Sequence, residues 1–139
     1  MAANDAQHEL NKTIPYGHAA LVWNPQTKNL TVTLSLTSLA PHSVHPSHIQ
    51  QGSCTCTGAI VYSLNNVVAD GHGNAFTTTT ISGVAEGIAS SGWYINVHHG
   101  PGLETPVQIA PIYCGEVSNP APNTNHLQMI KVRLMHFTL

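Results

Sequence analysis

Asn96-Val97-His98-His99, late in the chain, answers His45-Pro46-Ser47-His48-Ile49-Gln50 nearer its start. Each segment reads as a β-strand carrying imidazoles. Imidazole is the side chain that borderline metals such as copper and zinc prefer. The chain holds ten histidines against only four lysines and arginines. A metal site where two strands meet is therefore the first chemistry to consider. Residues i and i+2 of a strand share a face, so His48 and Gln50 point together. Histidine is a good ligand there. Glutamine is a neutral oxygen donor better matched to hard ions. A mononuclear site would need further histidines. His45 lies three residues before His48, and Pro46 breaks regular pairing between them, so a kink there brings both to one centre. His98 and His99 are adjacent and point to opposite faces of a regular strand. His18 opens the first expected strand, and His42 precedes His45 by three.

The remaining histidines carry less signal. His72 sits in the glycine turn Asp70-Gly71-His72-Gly73-Asn74 and reads as solvated. His8, His126 and His136 read as incidental, the last two with the alternative of a second site on an added strand. Trp93 and Tyr94 alternate on their strand and read as core and interface, not as redox groups.

The three cysteines are Cys54, Cys56 and Cys114. Cys54-Thr55-Cys56 lacks the second ligand pair that a thiolate zinc site needs. The structural reading is a disulfide from Cys54 or Cys56 to Cys114. Closing a loop of about 60 residues, it would contribute roughly 4 kcal/mol. It implies an oxidising compartment and leaves one thiol over.

The elements that must position these groups are strands. Helix signals are nearly absent, and the periodicity is two. Strands are expected over His18–Trp23, Leu30–Leu36, His45–Gln50, Ala59–Leu64, Ala75–Ile81, Gly92–His98, Ile112–Val117 and Met129–Leu139. In Leu30–Leu36 the alternation is strict, so Leu30, Val32, Leu34 and Leu36 face a core. The turn signals are Asn24-Pro25-Gln26-Thr27-Lys28-Asn29 and the Asp70–Asn74 segment. Eight short strands imply an all-β sandwich or flattened barrel of antiparallel Greek-key type. Residues 1–16 are expected to be a flexible segment and 17–118 the sandwich. Residues 119–139 are expected to be a loop and an additional strand packed on the same domain. That added strand offers an edge for pairing two chains into a homo-oligomer.

Charged residues make up only 7% of the chain, and the four cations are scattered. Phosphate neutralisation needs a basic patch, so nucleic-acid binding is excluded as a reading. No apolar run approaches the length of a membrane span. The start Met1–Gln7 has neither a basic n-region nor an apolar h-region. Either the protein is intracellular or a signal was replaced by an initiator methionine. The cysteines favour the second, a secreted or periplasmic protein.

Four motifs in order carry a family resemblance. They are His45-x-x-His48-Ile49-Gln50-x-Gly52-x-Cys54, Asp70-Gly71-His72-Gly73, Gly92-Trp93-Tyr94-Ile95-Asn96-Val97-His98 and Cys114-Gly115-Glu116-Val117. The pattern resembles the copper/zinc superoxide dismutase sandwich, more closely its abbreviated bacterial relatives, and the CHRD (chordin-type) domains. The resemblance spans roughly Gly17 to Val117. It implies that His48 and His98 stand at copper-ligand positions and that Gln50 replaces a second ligand histidine. It places Cys54 and Cys114 at the disulfide positions, leaves Cys56 as the odd thiol, and gives His45 the place of a buried structural histidine. The zinc loop is missing, because Cys54 is followed almost at once by Gly58-Ala59-Ile60-Val61. Pro111 stands where the family's guiding arginine would be. The dismutase's first strand has no clear counterpart, and Met129–Leu139 is expected to fill its slot beside Ile112–Val117. The candidate metal ligands are then His48 and His98 first, followed by His45, His18 and His99, for copper or zinc. Three functions compete: a metal-binding secreted protein with a degenerate dismutase site, a true metalloenzyme, and a metal-free extracellular adhesion or structural module. The first is preferred, and whether any reaction is catalysed stays open.

Overall fold

The computed structural model describes residues 14–138. His8 and most of the expected 1–16 segment lie outside them. The described residues form nine strands: β1 (Gly17–Asn24), β2 (Asn29–Leu36), β3 (Val44–Ser53), β4 (Cys56–Val68), β5 (Ala75–Ile81), β6 (Trp93–His98), β7 (Pro111–Val117), β8 (Gln128–Arg133) and β9 (Met135–His136). One helical turn, α1 (Pro106–Ile109), precedes β7. All pairings are antiparallel. One sheet has the order β5-β2-β1-β8, the other β4-β3-β6-β7-β9. This is the all-β sandwich that the alternation requires.

Alternation places the core. Ala19, Leu21 and Trp23 on β1 and Leu30, Val32, Leu34 and Leu36 on β2 are buried. From the other sheet Ile49, Ile95 and Val97 meet them. The buried indole of Trp23 donates to the Val84 carbonyl at 2.8 Å, so its one polar atom is not stranded. The turn Asn24–Asn29 closes as its composition demands. Asn24 Oδ1 accepts from the Gln26 amide, and Lys28 takes a positive φ of 62°. In the Asp70 turn, Oδ1 accepts from the amides of His72 and Asn74.

The C-terminal strand departs from expectation. It breaks at Leu134 into two pieces that serve different sheets. β8 pairs with β1, and only the two residues of β9 lie beside β7. The slot next to Ile112–Val117 is therefore filled by Met135–His136 and not by the whole segment. Gly115 lets this crossing happen, because a Cβ there would collide with the Arg133 carbonyl and the Leu134 side chain. The break also raises the strand count from eight to nine.

β3 bends at two places where its pairing with β4 slips, one between His45 and Ser47 at Pro46, the other around Gln50. Proline cannot donate to a ladder, so the first slip follows from the sequence.

Candidate functional site

The histidine segments lie side by side: His48 is the partner of Asn96 and Gln50 of Tyr94 in the β3–β6 register. His48, Gln50, Tyr94, Asn96 and His98 share the outer face of this sheet, since the alternate residues Ile49, Ile95 and Val97 enter the core. An outer face is ordinarily wet. Here His45 through Gln50 and Tyr94 through His98 are buried without interruption. The cover is the segment from Gly100 to Ala110, which doubles back over the sheet. The Gly100 amide donates to Gln108 O at 3.0 Å, and the His99 amide to Ala110 O at 2.8 Å. Gly100 takes φ 65°, and a Cβ there would press on Val44 O and the Pro46 ring. A glycine is required where the cover starts. Within the cover, Thr105 caps α1: its hydroxyl accepts from Gln108 N, and Gln108 Oε1 accepts from Thr105 N. This capping box holds the single turn together.

Beneath the cover, the His98 ring nitrogen Nδ1 lies 2.6 Å from Ile109 O. A carbonyl only accepts, so Nδ1 carries the proton, and in the neutral ring Nε2 is a bare lone pair. His48 Nδ1 lies 2.9 Å from that Nε2. His48 therefore donates, and its own Nε2 is left as the acceptor. The chain Ile109 O, His98, His48 fixes both tautomers. The rings meet edge to face, with centroids 4.9 Å apart. Burial, and secondly the neighbouring His98, pushes the His48 pKa below its ordinary value of 6.5.

Gln50 belongs to a separate amide pair. Its Oε1 accepts from Asn96 Nδ2 at 2.9 Å, and its Nε2 donates to Gly58 O at 2.9 Å. Two buried atoms in this layer find no partner among the described residues: the Tyr94 hydroxyl and Asn96 Oδ1. Leaving a buried polar group unpaired costs about 1–3 kcal/mol. Two adjoining clefts border the layer and share Gln50, His98 and Ile109. One, about 350 Å³, opens beside His48 and Leu103. The other, about 480 Å³, is walled by Tyr94, Asn96, Pro106 and the Cys54–Cys114 disulfide. That disulfide joins residues 60 apart in sequence, and Cys56 is the free, exposed thiol.

The other sequence candidates lie elsewhere. His45 is buried, with Nδ1 donating to the His98 carbonyl at 2.9 Å and Nε2 2.7 Å from Ser43 Oγ. His99 turns away from His98. Burial, then His45 and His136, lowers its pKa. His18 stands on the outer face of the other sheet, edge-on to Tyr16. His72 and His126 are exposed, and His136 packs edge-on against Tyr113. Among the described residues no group of three or more His, Cys, Asp or Glu side chains is arranged to hold a metal ion. Asn96 and the Ile109 carbonyl were not singled out by the sequence. The i, i+2 spacing of Tyr94, Asn96 and His98 is the signal that finds the first. Nothing local announces the second.

An antiparallel two-sheet sandwich, pinned by one disulfide and with one outer face roofed by its own chain, defines the class. A family model described as the CHRD domain matches residues 2–103, and the chain belongs to that family. No curated protein matches it. The copper/zinc dismutase side of the resemblance gains no support from these comparisons.

Proposed function

We propose that this CHRD domain is a module of an extracellular protein that works by binding and not by catalysis. The observation that carries this reading is the hydrogen bond between His48 Nδ1 and His98 Nε2. The His48 and His98 rings hold each other, and Gln50 is committed to Asn96 and Gly58. In this reading the pair is a clasp that fastens β3 to β6 and, through Ile109, the cover to both. The disulfide supports an oxidising, extracellular setting. Among the described residues no helix is long and apolar enough to cross a membrane.

A second reading keeps copper or zinc. His48 Nδ1 and His98 Nε2 converge to 2.9 Å and would be the two residues to hold such an ion. An ion replacing the shared proton would be held by His48 and His98 and completed by water. The residues supply two donors, short of the three that zinc and copper sites usually take from the protein.

Calorimetric titration of untagged protein with Cu(II) and Zn(II) separates the two. The module reading expects uptake that is unchanged in His48→Ala and His98→Ala. Stoichiometric uptake lost in both, yet retained in His126→Ala, establishes the metal reading instead. Rapid superoxide removal by the loaded protein would overturn the non-catalytic assignment.

A further inference from the structure

The amide layer under the cover has an unmet hydrogen-bonding demand of defined sign. Tyr94 is 1% exposed and Asn96 6%. Among the described residues the Tyr94 hydroxyl proton has no acceptor and Asn96 Oδ1 has no donor. The Asn96 assignment is fixed by its neighbours. Gln50 Nε2 must face the Gly58 carbonyl, so Gln50 Oε1 must receive Asn96 Nδ2, and Asn96 is left with its oxygen free. Both side chains project from one face of β6 at i and i+2 and wall the cleft of about 480 Å³. Among the described residues no Asp, Glu, Lys or Arg lines that cleft, and Pro106, Ile109 and Ala110 give it an apolar rim. Clefts of this size, mostly apolar with a few convergent polar groups, are the usual form of a small-molecule site.

We infer that this cleft binds an uncharged amide, whose carbonyl accepts from the Tyr94 hydroxyl and whose N–H donates to Asn96 Oδ1. A carboxylate fails because it brings a second acceptor to Asn96 and a charge into an uncharged cleft. An ammonium fails because it brings a charge into an uncharged cleft and leaves the Tyr94 hydroxyl proton without an acceptor. The two polar atoms are sealed from water, so the ligand enters as the cover yields. Its helical turn α1 buries no residue, so lifting it exposes little apolar surface. An N-acetylated sugar and an N-acylated amino acid both carry such an amide, and the cleft's chemistry is the same for both. The inference rests on the reading of the domain as a binding module.

The test is a 1H–15N NMR titration of the full chain with N-acetylglucosamine and, separately, N-acetylalanine N-methylamide. Glucose and acetate are the controls. Saturable shifts at Tyr94, Asn96, Gln50 and Val107–Ala110 are expected with one or both amides and with neither control, and the amide that binds tighter names the source. Tyr94→Phe should weaken that binding about tenfold, the loss of one hydrogen bond. Because it deletes an unpaired hydroxyl, it should melt no lower than the parent. Shifts absent with both amides, shifts shared by glucose or acetate, or full affinity in Tyr94→Phe would each overturn the inference. A Tyr94→Phe protein that melts well below the parent would do so too, since it would reveal a partner for the hydroxyl within the fold. The metal titration is a separate readout, so failure here and failure of the module reading are distinguishable.

Discussion

On β1 and β2 every second residue is half-buried at the surface, from His18 to Asn24 and from Asn29 to Ser35. On β3 and β6 the runs His45–Gln50 and Tyr94–His98 are buried throughout. The two sheets have similar inner faces, so the difference lies outside. One outer face meets solvent, as antiparallel sheets commonly do. On the other, the strip of β3 and β6 beneath the Gly100–Ala110 segment becomes an interior. A solvated face can carry Thr31, Thr33 and Ser35 at little cost, because water completes their hydrogen bonds. A roofed face must supply partners from within, and it does so through two histidines, an amide pair and the backbone carbonyls of Gly58 and Ile109. Where the supply falls short, at Tyr94 and Asn96, the face acquires something to offer a ligand.

That contrast can be broken hardest at the disulfide. Replacing both Cys54 and Cys114 by alanine should cost about 4 kcal/mol, from the length of the loop it closes, read as a lower midpoint in urea denaturation. His98→Ala comes next. It empties a buried site and strands both the Ile109 carbonyl and His48 Nδ1, for a loss of about 2–4 kcal/mol. Amide exchange should quicken across Val107–Ala110 while the β1–β2 pair stays protected.

Acid should act on the same side of the sandwich. Burial, and next His98, lowers the His48 pKa; His99 and His136 are lowered first by burial. The unfolded chain takes up protons near 6.5 where the folded one resists. Stability is therefore full above that pH and falls as the pH drops through and below it. Melting temperatures across pH 5–8 check the direction, and the fall should be shallower in His48→Gln. The smallest effect belongs to the open face. Thr31→Val should move stability by no more than about 0.5 kcal/mol, and a larger change would mean that this face, too, is covered in solution.

The open sheet was the more legible in sequence. Strict alternation in Leu30–Leu36 gave both the strand and its buried side, and Pro46 marked the slip in β3. The roofed sheet was harder to read, because a strand buried on both faces loses its period-two signature. His45–Gln50 is legible by its histidines, and the pattern that makes Tyr94 a core residue says nothing of its hydroxyl. The residues alone left Cys54 and Cys56 as equal candidates for Cys114; the resemblance chose Cys54, and the structure pairs it so. The cover escaped notice although Thr105-Pro106-Val107-Gln108 has capping-box spacing with a proline in the first turn. A single helical turn has no periodicity to detect. That its Ile109 carbonyl would meet His98 depends on the path of the whole segment, which no local pattern encodes.

The break at Leu134 has a consequence for the order in which the molecule can be made. β1 is the inner neighbour of β8, yet about a hundred residues separate them in the chain. During synthesis the flank of β1 stands bare until Gln128–Arg133 has left the ribosome. Met135–His136 then reaches across to the other sheet. The sandwich is thus closed by a late-arriving segment tied to both layers, and a nascent chain halted before it would show an adhesive edge to its neighbours.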